Sequence, residues 1–207
     1  MRCVEVVDLG KLMSIDKKDL PEAAMGLEER DLPQLVELLS EKDDTIRYQV
    51  LLLLQHRSSG SSDVYSFWEV FKDKLSSDNS YQRSIGLTLI AENAKWDAEN
   101  RMDTTVDAYL QLLNDEKPIT VRQCIQALGK IVPVKPGLCS RIAKKLMAVD
   151  LNGIKETMRK LILTDILSIL ALILKQQPSQ EVRDYIAQAL SGDILDKKAK
   201  KQVEALM

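Results

Sequence analysis

The sequence predicts an all-α protein assembled from a stack of antiparallel helix pairs. Three observations carry that expectation. Of 207 residues, 45% are hydrophobic and 29% charged, and there are only eight glycines and six prolines. Leu, Ile, Ala, Glu, Lys and Gln dominate, residues that lose little entropy in a helix. No segment alternates apolar and polar residues over a strand's length, and no hairpin dipeptide joins two β-branched runs. Finally, Arg47, Arg83, Arg122 and Arg159 recur at steps of 36, 39 and 37 residues, each near the start of an apolar helical pattern. A spacing that regular points to one unit copied.

The elements follow from caps and breakers. Asp31 is a candidate N-cap for "LPQLVELL", with Pro33 tolerated in the first turn. "EKDD" interrupts the pattern before Thr45 opens "TIRYQVLLLLQHR". "SSGSSD" (58–63) reads as the most flexible linker, and Asp63 as the cap of "VYSFWEVFKDKL". After "SSDN" comes "SYQRSIGLTLIAENAKW", and after that "TTVDAYLQLL". "NDEK" separates this helix from "PITVRQCIQALGKI", with Pro118 at its first position. "VPVKPG" (132–137) ends it, because each proline excludes the αR conformation for its predecessor. "CSRIAKKLMAV" precedes the turn "DLNG" and the long "KETMRKLILTDILSILALILK". Pro178 stops that helix, and two more, divided at Ser191-Gly192, finish the chain.

Aligned on the four arginines, the second helix of each pair repeats its core. Three positions on stand Val50, Gly86, Ile125 and Ile162. Six on are Leu53, Leu89, Leu128 and then Asp165, the one break; seven on are Leu54, Ile90, Gly129 and Ile166. The expectation is a single domain over 1–207, with an N-terminal cap at 1–30, four repeats over 31–175 and C-terminal cap helices at 176–207. Repeats cannot bury their faces alone, so terminal helices must cover the ends.

These residues resemble HEAT repeats, of the armadillo/HEAT type of α-solenoid. In "ITVRQCIQALGKI", Val121-Arg122 matches the family's Val-Arg pair and Ala127-Leu128-Gly129 its small-Leu-Gly ending. Asp44, Asp78 and Asp115 match the turn aspartate, which Asn152 replaces in the fourth turn. Arg47, Arg83, Arg122 and Arg159 fall on the family's arginine position. The resemblance implies a right-handed α-α superhelix of about four helix pairs, in which the arginine ladder ties repeats together. Each arginine would bond to the acidic turn of its own or the neighbouring repeat. Tetratricopeptide and ankyrin signatures are absent.

Charge and chemistry narrow the function. Net charge is −2 and the pI about 5.6, which argues against a phosphate-rich partner, since phosphate contacts supply most nonspecific nucleic-acid affinity. That counts against the competing reading, a HEAT-like DNA alkylation-repair glycosylase with a basic, tryptophan-lined inner face. His56 is the only histidine and lies at a helix end, where a surface or capping role is expected rather than catalysis. Cys3, Cys124 and Cys139 are odd in number and scattered, with no CxxC pair, so neither a disulfide framework nor a metal site is expected. No glycine-rich phosphate loop occurs and no cofactor is implied. The N-terminal "MRCVEVVDLGKLM" lacks the apolar core of a secretory signal, and the apolar run Leu161 to Leu174 is too short to cross a bilayer. A cytoplasmic protein is expected. Phe67, Trp68 and Phe71 share a helix side and read as core, with Trp68 and Trp96 expected to be partly exposed.

If second helices line a concave groove, helical phase places Tyr48, Leu52 and Gln55 there, then Ser84, Thr88 and Glu92. Gln123, Ala127 and Lys130 follow, then Lys160, Thr164 and Ser168. Asp165 either pairs between layers with Arg122 or Lys130, or joins Lys160, Thr164 and Ser168 on a polar stripe, the arrangement preferred from spacing. Such an amphipathic surface suits a protein or peptide partner. The function expected is a non-catalytic protein-binding scaffold or adaptor.

Overall fold

Asp43, Asn79, Ser179 and Asp196 each cap a helix of the computed structural model, which describes residues 8–207. Cys3 and the first residues of the N-terminal stretch lie outside the described residues. The described residues are all-helical, without a strand, and fall into two compact units that meet in sequence at Asp97 and Ala98.

In the first unit, α1 (Leu9–Ser14) and α2 (Leu20–Met25) precede two helix pairs, α3 (Leu32–Leu38) with α4 (Asp44–Gly60) and α5 (Trp68–Lys74) with α6 (Ser80–Asn93). Asp43 caps α4 by accepting from the amides of Thr45 and Ile46 at 2.8 and 3.3 Å, bonds that hold its carboxyl below the usual range. Asn79 caps α6 through the Tyr81 amide at 2.9 Å. Asp31 does not cap α3; its carboxylate instead accepts from the Glu28 amide in a 3₁₀ turn, Glu29–Asp31. The helix expected over 64–75 is divided into a 3₁₀ turn, Asp63–Phe67, and α5.

α4 packs on α2, α3 and α6, and α5 packs on α6. Leu35, Leu53, Leu54, Trp68, Phe71, Leu87, Leu89 and Ile90 are fully buried between them. Trp68 is 0% exposed, which corrects the expectation of partial exposure. The indole caps the core because α5 starts at Trp68 and turns its side chain inward. Close approach of α5 to α6 depends on Gly86: a Cβ there would lie 2.6 Å from the Phe71 carbonyl oxygen.

"SSGSSD" is no flexible linker. Ser58, Ser59 and Gly60 form the last turn of α4, and Ser58 is fully buried. The carbonyls of Ser58 and Ser59 accept from Trp96 Nε1 at 2.8 Å and Lys95 Nζ at 2.6 Å. Satisfied end carbonyls let the helix run on through residues of low helical propensity.

In the second unit, α7 (Arg101–Gln111) pairs with α8 (Pro118–Ile131) and α9 (Cys139–Met147) with α10 (Glu156–Gln176). α11 (Gln180–Ser191) and α12 (Lys197–Glu204) follow, capped by Ser179 and Asp196. α10 packs on α8, α9, α11 and α12, and buries Ile162, Ile166, Leu167, Leu170 and Ile173. Among the described residues no helix is long and apolar enough to cross a membrane.

Candidate interaction surfaces

The four arginines do not behave alike. Arg47 donates through Nη1 to the Glu41 carbonyl at 2.7 Å and pairs through Nη2 with Asp44. Arg83 donates to the Ser77 and Asp78 carbonyls at 2.8 and 3.0 Å, and Arg159 to those of Ile154 and Asn152 at 2.9 and 3.0 Å. These three fold back onto the turn that precedes their own helix, and their main partners are carbonyls. Asn152 can therefore replace an acid without losing the contact, since its backbone oxygen is the acceptor. Arg122 reaches forward instead, and its Nε lies 2.6 Å from Asp165 Oδ2.

That contact corrects the placement of Asp165. Its side chain is only 13% exposed, lies between α8 and α10, and also accepts from Gln126 Nε2 at 3.2 Å. Lys160 pairs instead with Asp196, at 2.9 Å in the open. Asp165 does line one small concavity with Lys160 and Thr164, but a carboxylate at a leucine position of the repeat also faces the preceding helix, where a cation makes its burial tolerable. Arg122 leaves its own turn to supply one.

The other predicted groove residues fall into three groups. Tyr48 is half exposed, Lys130 and Lys160 are exposed, and Leu52, Gln123 and Ala127 are intermediate. Ser84, Thr88, Thr164 and Ser168 each donate to the carbonyl four residues back at 2.8 to 2.9 Å, so their hydroxyls serve the helix itself. Glu92 is buried rather than presented, and accepts from Gln55 Nε2 at 2.6 Å. That bond ties α4 to α6 and removes both side chains from a binding role.

A different concavity is better formed. In the first unit an open groove of about 690 Å³ lies between the turn preceding α4 and the one preceding α6. Ser40, Glu41, Lys42, Asp44 and Arg47 form one wall; Val70, Asp73, Lys74, Ser77, Asn79, Tyr81 and Gln82 form the other. Tyr81 is 62% exposed, and its ring centroid lies 5.3 Å from the Arg47 guanidinium carbon, within cation–π range. Val70, on α5, is 42% exposed. Lys74 is half-buried and donates to Ser40 Oγ at 3.0 Å and Gln82 Oε1 at 2.5 Å. Burial and then the nearby Arg47 charge push its pKa down. Sequence reading missed this groove because it is built from the turns and from α5, not from the periodic faces of the second helices.

Sequence reading also missed Arg57. Its Nη2 lies 2.6 Å from Asp63 Oδ2, and its Nη1 donates to the Ala24 and Met25 carbonyls at 3.2 and 3.0 Å. One guanidinium thus joins the end of α2 to the start of the second pair. An arginine following "QH" at a helix end carries no pattern that announces this.

The reactive side chains are poorly placed for chemistry. Burial, with the charge of Asp115 adding, pushes the Cys124 thiol far up, and burial raises Cys139. A thiol is a nucleophile only as thiolate, the form that burial disfavours at both positions. His56 sits near the end of α4, partly exposed. Among the described residues no cluster of His, Cys, Asp or Glu could hold a metal ion.

No protein-family model and no curated protein sequence matches the chain. Solved structures do resemble it. An engineered protein known from a crystal structure is 18% identical, with a TM-score of 0.56 over 96% of this chain and 94% of that one. A designed armadillo repeat protein is 14% identical, with a TM-score of 0.44 over 96% of each chain. The chain has an all-helical repeat fold.

Proposed function

We propose that this chain is a HEAT-type, non-catalytic scaffold or adaptor that binds a protein or peptide segment. The observation that supports this is the open groove of the first unit, where Val70 and Tyr81 stand exposed beside a half-buried lysine. Exposed aromatic and aliphatic side chains around a concavity are the usual anchors for a partner's side chains. Tyr48, half exposed at the start of α4 with Lys17 5.2 Å from its ring centroid, adds a second aromatic contact in the same unit. Two buried free thiols, Cys124 and Cys139, fit a reducing compartment, so we assign the chain to the cytoplasm.

The glycosylase reading needs tryptophans that can stack on a base. Trp68 is wholly buried, and Trp96 is held through Nε1 to the Ser58 carbonyl with Lys95 Nζ 4.8 Å from its ring centroid, which counts against that reading. Selection of peptides from a random display library on the purified protein tests the proposal. Binders should emerge that lose affinity for Tyr81→Ser and Val70→Ser variants. Failure to select any binder, or excision of alkylated bases by the purified protein, overturns it.

A further inference from the structure

The half-buried ammonium of Lys74 is the unusual feature of the groove. Both its acceptors, Ser40 Oγ and Gln82 Oε1, are neutral, and among the described residues no carboxylate lies within ion-pair distance. Gln82 is held in place because its Nε2 donates to the Leu39 carbonyl at 2.8 Å, which turns Oε1 toward the lysine. An ammonium has three N–H bonds, so one is left to point at solvent or ligand. Arg47 keeps its Nε–H similarly unused, its Nη atoms being committed to Glu41, Lys42 and Asp44. Arg47 is already paired with Asp44, so Lys74 is the one of these two cations without a carboxylate among the described residues, and the Arg47 charge beside it raises the cost of its ammonium.

The rim decides what can enter. Glu41, Asp44 and Asp73 line the same groove and are exposed. Lys42 stands beside these three carboxylates, so the rim offers no cationic field to a polyanion such as a nucleic-acid strand, whereas a single carboxylate that reaches Lys74 meets an ammonium with no acidic partner among the described residues. Val70 and Tyr81 give the neighbouring apolar contact.

We propose that this groove receives one Asp or Glu side chain of an extended partner segment, bound by Lys74, with an aliphatic or aromatic neighbour held against Val70 and Tyr81. The inference rests on the protein-binding reading and adds the chemistry of the partner. A charge-assisted bond is about twice as strong as a neutral one, and a carboxylate here would offset the Arg47 charge that Lys74 faces.

The test uses peptides selected from the display library, measured by fluorescence anisotropy on the 207-residue protein and its Lys74→Gln variant. Selected sequences should carry Asp or Glu beside an apolar residue. Replacing that acid by its amide should weaken binding to the wild-type protein on the order of tenfold, the equivalent of one charge-assisted bond. The same replacement should change binding to Lys74→Gln by less than about twofold, since the partner charge is gone. Should Lys74→Gln fail to fold, NMR on the wild-type protein replaces it: the acidic peptide, and not its amide form, must shift the amides of Val70, Tyr81 and Gln82. Binders that lack an acid, or that respond equally on both proteins, overturn the carboxylate site and leave the scaffold reading standing. An empty selection removes both. Saturable binding of inorganic phosphate or of an oligonucleotide that depends on Lys74 makes the groove a phosphate site and overturns the proposal.

Discussion

Two glycines inside second helices of the pairs have opposite jobs. Gly86 stands where the other repeats carry Val50, Ile125 and Ile162, and a Cβ there would press on the Phe71 carbonyl oxygen at 2.6 Å. Backbone cannot yield as a side chain can, so Gly86→Ala should cost about 1–3 kcal/mol. Gly129 meets only Ile169 Cδ1, at 3.7 Å, an ordinary contact. There the flexible glycine merely weakens α8, and Gly129→Ala should stabilise by up to about 1 kcal/mol. Urea denaturation of the two variants checks the pair, and equal effects contradict the close approach of α5 to α6. The same scale governs Asp165. With its side chain 13% exposed and Arg122 at 2.6 Å, Asp165→Asn should cost about 1–3 kcal/mol. Replacing both partners by apolar residues, Arg122→Met with Asp165→Leu, should recover most of that loss, because no buried charge is then stranded. A double-mutant cycle showing simple additivity contradicts the pairing.

At the scale of elements, the first unit passes helix ends from one repeat to the next. The last carbonyls of a helix lack intrahelical donors and need outside partners. Gln49 donates to the Leu12 and Ile15 carbonyls at 3.3 and 2.8 Å at the end of α1. Arg57 serves α2, Gln82 serves Leu39 at the end of α3, and Lys95 and Trp96 serve α4. Each donor lies one repeat further along the chain, so a helix is complete only when its successor is in place. Arg57 is the most loaded of these donors, because it also holds Asp63. Burial pushes the Asp63 carboxyl up, but bonds from Arg57 and Ser61, the Arg57 charge and the Val64 amide outweigh it, and its pKa is lowered. A carboxyl that resists protonation when folded adds stability that is complete above its unfolded value of about 3.9. That stability drains away as pH falls through the lower folded value. Asp63→Asn should therefore lower stability at neutral pH and flatten the acid limb, so that the gap from wild type narrows below about pH 4. Urea midpoints measured across that range decide it, and a constant gap removes the ion pair from the account.

At the scale of the whole chain, what repeats was legible and what answers a single neighbour was not. The arginine spacing and the breaks at Pro118, Pro178 and Gly192 are local or periodic, and the helices lie where these signals place them. The direction of Arg122, the burial of Trp68 and the groove around Lys74 depend on residues about 30–40 positions away, which no local pattern encodes. The terminal helices are a case where the pattern makes a quantitative demand. "LILTDILSILALIL" is apolar nearly all round, and such a helix must be covered on more than one side. α8 and α9 cover part of α10, and α11 and α12 pack on it as well, burying Val182, Ile186, Leu195, Ala199 and Val203. Deleting residues 179–207 should therefore uncover one side of α10, lower the melting temperature and raise binding of a hydrophobic dye, or leave the protein insoluble. The ion pair between Lys160 and Asp196 separates packing from charge in this experiment. Its side chains are 47% and 54% exposed, so Lys160→Ala in the full chain should change stability by no more than about 1 kcal/mol. If Lys160→Ala destabilises as much as the deletion does, α12 is held by charge and the apolar-cover argument fails. If the deleted protein stays soluble and as stable as the full chain, α10 does not need the cover its sequence asks for.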